Sequence, residues 1–157
     1  KPMRRKYRLL NHANITKVLH VGISFLGDES PYTVPHSYVY NDDCNHIYIH
    51  GANEGYKLDC IKHHIKASFC VVNKEEPIIN RFDTMIRCVI AFGKIRVIED
   101  EKETHALTLL GEKFSIPNSP ELYTYIECAW NKVTAISLDI EHITGKESIE
   151  LVIEKNK

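Results

Sequence analysis

A strand-like run from His46 to His50 passes directly into Gly51-Ala52-Asn53-Glu54-Gly55-Tyr56-Lys57-Leu58-Asp59. Those residue types at that spacing suit the capture of a phosphate. Gly51 and Gly55 free the backbone from Cβ crowding where the chain must turn and can come close to a ligand. From Glu54 onward Leu58, Ile61 and Ile65 recur at three- and four-residue steps, the period of a helix expected over 54–64. One loop thus offers backbone N–H groups, a helix N-terminus and the Lys57 ammonium together, which is the chemistry of an anion cradle. Gly-x-Lys at a helix start is also a common pattern, and a solvated lysine after a turn is the bland alternative.

The nine histidines do not assemble a metal site on spacing alone. His63 and His64 are adjacent and would point about 100° apart on a helix. His46 and His50 share one face of a strand but stand too far apart to chelate unaided. No Cys/His spacing matches a zinc site, so no metal is expected. His50 differs from the rest, because it ends a strand beside the proposed cradle, where barrel mouths hold ligands. No G-x-S-x-G elbow occurs, and no pair of carboxylates can be singled out for acid–base work.

The elements that must position these residues follow from length and pattern. The 157 residues suit a single domain, 1–157, with a basic N-terminal arm over 1–10 that carries Lys1, Arg4, Arg5, Lys6 and Arg8. Twenty basic and 21 acidic residues nearly cancel, so no broad basic field points to nucleic acid. Five cysteines without a CxxC pair fit a reduced, cytoplasmic compartment. No apolar run approaches the ~20 residues of a membrane span.

Along the chain, a short helix is expected around Ile15, Val18 and Leu19, capped by Asn14 and ended by Gly22. Strands are expected at 23–26, 32–40, up to His50, 66–72, 84–99 and 134–143, with helices over 101–114 and from Ser119-Pro120-Glu121. Pro35 interrupts the second strand and cannot donate to a ladder, so that strand is an edge, bulged or opened there. Gly93 inside the longest strand suggests a bulge. Six strands without regular βαβ alternation argue for an antiparallel α+β barrel, mainly β, rather than a doubly wound sheet.

Taken together, these segments resemble the pyridoxamine-phosphate-oxidase-like FMN-binding split barrels, and within them the Nim-type nitroimidazole-resistance proteins. The resemblance runs through Met3-Arg4-Arg5-Lys6, Pro31-Tyr32-Thr33-Val34-Pro35 and Ser37-Tyr38-Val39-Tyr40. It is strongest in Ile47-Tyr48-Ile49-His50-Gly51-Ala52 and Gly55-Tyr56-Lys57-Leu58-Asp59. It continues in Val89-Ile90-Ala91-Phe92-Gly93-Lys94, Leu109-Leu110-Gly111-Glu112-Lys113 and Asp139-Ile140-Glu141-His142-Ile143-Thr144-Gly145-Lys146.

The resemblance implies a six-stranded antiparallel split β-barrel of Greek-key type with peripheral helices, forming a homodimer with FMN at the interface. It further implies that Lys57 and the Gly55-Tyr56 backbone hold the FMN phosphate. Val34, Pro35, His36 and Ser37 would line the ring edge, and Ile49, His50 and Gly51 would flank the flavin with His50 on the substrate side. Cys88 and Val89 would face the cofactor from the long strand, either their own chain's or that of the dimer mate. His36 and Cys88 depart from the apolar residue and serine common at those positions. The arginine–histidine signature for pyridoxamine phosphate has no counterpart, which disfavours vitamin oxidation. An FMN-dependent oxidoreductase for small electron-poor substrates such as nitroimidazoles is therefore expected, with His50 as its catalytic residue. A non-catalytic flavin- or haem-binding module for storage or sensing, or an empty structural dimer, are the alternatives.

Overall fold

The computed structural model describes residues 20–27, 30–79, 81–99, 105–116 and 119–155. The helix expected around residues 14–19 and the basic arm fall outside them. Seven strands form one antiparallel sheet: β1 (His20–Leu26), β2 (Pro31–Pro35), β3 (Tyr38–Asn41), β4 (His46–Ala52), β5 (Lys66–Ile78), β6 (Asp83–Val97) and β7 (Val133–Glu147). Their order across the sheet is β2-β1-β5-β6-β7-β4-β3. Among the described residues, four α-helices accompany them: α1 (Tyr56–His63), α2 (His105–Phe114), α3 (Pro120–Ala129) and α4 (Ile149–Lys155).

The expected six strands become seven because the run over 32–40 breaks after Pro35. Proline lacks the N–H a ladder needs, and His36 and Ser37 leave the sheet before β3 begins at Tyr38. The break has a topological result. β2 and β3 are the two outermost strands of the sheet, yet only two residues connect them. Three extended steps of chain span about 11 Å at most. The sheet must therefore curl until its opposite edges meet, with a gap between them at His36–Ser37. That is a barrel split along one seam.

Other boundaries shift for local reasons. Gly22 does not end a helix; it lies inside β1, opposite Pro35 on one side and Cys70 on the other. β5 runs past 72 through Pro77 as far as Ile78, with a register shift between Val72 and Lys74. The bulge at Gly93 is present: the β6–β7 register jumps between Phe92 and Gly93, leaving Glu141 unpaired. A Cβ on Gly93 would run into the Asp139 carbonyl carbon at 2.9 Å, so close strand approach requires glycine there.

Alternation sorts the side chains. Ile23, Phe25, Ile47, Ile49, Phe69, Val71, Val89, Ala91, Ile95, Ile136 and Leu138 point into the barrel, joined by Leu58, Cys60 and Ile61 of α1. Each large aliphatic group so buried stabilises the fold by roughly 1.5–3 kcal/mol relative to exposure. Tyr48, one residue out of step with Ile47 and Ile49, faces the opposite side and packs with Ala106, Leu107 and Leu110 of α2. β4 thus separates a barrel interior from a helix-covered outer face. α3 begins with Ser119 as cap, its Oγ accepting from the Leu122 N–H at 3.1 Å. Among the described residues, no helix is long and apolar enough to cross a membrane.

Candidate functional site

β4 and its pairing fix the first residues of the site. His50 lies opposite Ala135 and Gly51 opposite Thr134 on β7. On the other side, the β3–β4 ladder pairs Tyr38 with Ile49. Continuing that register two residues beyond the start of β3 would place His36, at the seam, level with Gly51. The start of β3 and the end of β4 thus converge on one corner.

The loop after β4 then delivers Lys57. Gly55 has φ 126°, which only glycine adopts without strain, and it stands at the N-cap of α1. Among the described residues, no side chain caps this helix start. Asn53 holds the loop in place: its Nδ2 donates to the Asn131 carbonyl at 2.8 Å, and the Thr134 hydroxyl donates to its Oδ1 at 2.8 Å. Tyr56, first residue of α1, points away and meets the Tyr32 ring edge-on at 5.2 Å. Lys57 turns back over Gly51 instead. A Cβ on Gly51 would collide with the ammonium and lie 2.9 Å from Lys57 Cε. Gly51 is needed for space rather than for its backbone angles.

The Lys57 ammonium donates to His36 Nε2 across 2.8 Å. His36 is pushed down to about 4 by burial, by Lys57 and by His50, in that order. At neutral pH its ring is therefore an uncharged acceptor with its proton on Nδ1. Burial and Lys57 also hold His50 below the ordinary histidine range, and burial lowers Lys57. These shifts share a cause: basic groups drawn together and partly desolvated with no counter-charge. Among the described residues, no carboxylate pairs with Lys57, His36 or His50. An anion brought here would restore to all three the proton affinity that burial removes.

The remaining expected residues divide. Val34 packs against the barrel core, and Pro35 and Ser37 are exposed on either side of His36 along the seam. Ile49 is 1% exposed, its side chain inside the barrel. Cys88 and Val89 do not join the cluster within one chain. Their neighbours on β7 are Lys146 and Gly145, whereas His50 neighbours Ala135. Eleven residues of extended strand, on the order of 35 Å, separate those ends. Val89 is buried in the core, and Cys88 is half-buried one step out of phase, its thiol pushed up chiefly by burial.

Three features had no clear sequence signal. Asn53 reads as a turn residue, and only the fold shows that it ties the loop to β7. Lys113 donates to the Tyr38 carbonyl at 2.6 Å and sits 3.6 Å from the centre of the Tyr38 ring, closing the start of β3. Finally, α2 and α3 enclose a cavity of about 310 Å³ against His50. Their amphipathic patterns are legible, but what they cover is not.

The fold is shared with known proteins. A 5-nitroimidazole antibiotic resistance protein of Bacteroides thetaiotaomicron, so assigned provisionally, superposes with a TM-score of 0.72 at 20% identity, over 88% of this chain and 86% of that one. An FAD-binding protein of Mesorhizobium loti gives 0.60 at 22%, over 90% and 97%. An FAD- and haem-binding protein of Mycobacterium smegmatis gives 0.58 at 15%, over 85% and 67%. At such identities the likeness is one of fold. No curated protein matches. The family model for pyridoxamine 5'-phosphate oxidase, however, matches residues 10–147. That span takes in the seam, the cradle loop and every strand, and by it the chain belongs to the pyridoxamine 5'-phosphate oxidase family.

Proposed function

We propose that this chain is a flavoprotein that binds FMN and reduces small electron-poor molecules, nitroimidazoles among them. The observation that carries the reading is the convergence of Lys57, His36 and His50 beside an uncapped helix start, with no carboxylate pairing among the described residues. Such a corner suits a phosphate. Lys57 and the Gly55-Tyr56 backbone hold the anionic end. Val34, Pro35, His36 and Ser37 run along the ring edge at the seam, where no strand competes for the space. Ile49, with its side chain inside the barrel, contributes backbone, and His50 and Gly51 complete that wall. Cys88 and Val89 belong to the site of a second copy in a homodimer.

When bound, the flavin supplies the electron transfer. The protein's part is position and electrostatics. Lys57 anchors the charged end and takes no part in the electron transfer itself. His50 donates an N–H to an acceptor on the substrate and can stabilise negative charge developing there. The flavin-binding neighbours and the likeness to a resistance protein support this reading; the missing arginine–histidine signature speaks against vitamin oxidation.

Titration of the purified chain with FMN, followed by quenching of flavin fluorescence, tests it. The wild type should saturate at one FMN per chain, and Lys57→Ala should weaken binding roughly 10- to 100-fold, the worth of a charge-assisted contact. An unchanged dissociation constant removes the phosphate assignment, and tighter binding of FAD than FMN replaces the cofactor. His50→Ala should lower turnover with nitro compounds while leaving FMN bound.

A further inference from the structure

The cavity between α2 and α3 is about 310 Å³, at the lower end of the size typical of small-molecule sites. Leu107 and Leu110 of α2, Leu122 and Ile126 of α3, and Val133 of β7 form its walls. Gly111 of α2 faces α3, and a Cβ there would stand 2.7 Å from Leu122 Cδ1. Phe114 and Tyr125 stand at the rim, and Tyr125 is 72% exposed.

Its polar content is the informative part. Among the described residues, no Lys, Arg, Asp or Glu lines the cavity. The Ser115 hydroxyl already donates to the Gly111 carbonyl at 2.8 Å. Besides the exposed Tyr125 hydroxyl at the rim, the His50 imidazole is the described lining group able to address a ligand. His50 belongs to the cationic corner on one side and to this cavity on the other, so it joins two environments of opposite character. We propose that the α2–α3 cavity is a binding site for an uncharged aromatic molecule of one or two rings, with a hydrogen-bond acceptor directed at His50. An anion would lose its hydration against aliphatic walls with no cation to replace it. A neutral ring would instead bury apolar surface on both faces. The assignment of this molecule as the substrate rests on the flavoprotein reading; its binding does not.

The test uses the full chain and two near-isosteric probes, acetophenone and benzoate, with binding followed through the His50 imidazole resonances, assigned by comparison with His50→Gln. Acetophenone should shift those resonances and saturate, and benzoate should bind at least about tenfold more weakly. Ala129→Phe, which projects a ring into the cavity, should weaken acetophenone by roughly tenfold or more while leaving the FMN dissociation constant unchanged. Ala129→Leu serves as a smaller intrusion should the phenylalanine variant not fold. Absence of acetophenone binding, equal binding of benzoate, or indifference to both substitutions overturns the proposal. Acetophenone binding by a chain that refuses FMN would uphold the cavity and remove only the cofactor reading.

Discussion

Gly51 and Lys57 form a pair whose members can be separated by experiment. In Gly51→Ala the new methyl meets the far end of a flexible side chain rather than backbone. The ammonium can swing away at little cost, so stability should stay within about 0.5 kcal/mol of wild type in urea unfolding. FMN affinity should nevertheless fall towards that of Lys57→Ala, because the charge has left the corner. His36 gives a pH signature. Its folded value of about 4 lies below the 6.5 of an unperturbed ring. Above pH 6.5 the ring is neutral in folded and unfolded chains, and its full contribution is present. As pH falls from 6.5 towards 4, the unfolded chain takes up a proton that the folded one resists, and stability declines. Urea midpoints measured across that window should therefore slope downward with acid, and His36→Leu should flatten the slope. The site residues were legible in the sequence as far as their types could speak. Lys57 after two glycines announces an anion, but nothing local to His36 announces that it will accept from Lys57.

At the scale of elements, the cradle depends on how firmly its loop is held. Asn53 bridges the loop to the turn at Asn131 and to Thr134 of β7. Asn53→Ala removes two exposed hydrogen bonds and should cost roughly 1 kcal/mol in global stability. Its larger effect should be local: faster hydrogen exchange at the amides of Gly55 and Lys57, with weaker FMN binding. Unchanged exchange there would mean that Gly55 and the α1 packing suffice. Apolar periodicity revealed α2 and α3, and Ser119-Pro120 marked where α3 begins. Strand lengths were harder to read. β5 continues through Glu75, Glu76 and Pro77 because β6 offers it a partner, and pairing of that kind leaves no trace in a single strand's own pattern.

For the whole molecule, the decisive event is the meeting of two sheet edges. Pro35 showed where the second strand would open, but strand counting could not show that β2 and β3 lie at opposite ends of the sheet. That follows only from long-range pairing of β1 with β5 and of β4 with β7. The two-residue link sets the width of the seam. Inserting one glycine between Ser37 and Tyr38 lets the edges part by about 3 Å. Loop entropy changes little, so thermal unfolding should shift only modestly. His36 should lose its Lys57 partner, however, and FMN affinity should drop with it. Wild-type affinity in that variant would show that the corner does not depend on a taut seam.

The link has a protective consequence too. A sheet that ends in two strands carries two rows of unmet backbone groups, each a template for another chain. Here Pro31 and Pro35 remove donors from β2, and Lys113 occupies the carbonyl of Tyr38 on β3. The short tether keeps the two rows beside one another. A protease that cut between His36 and Ser37 would release them together, and the nicked protein should polymerise while the intact chain stays dispersed.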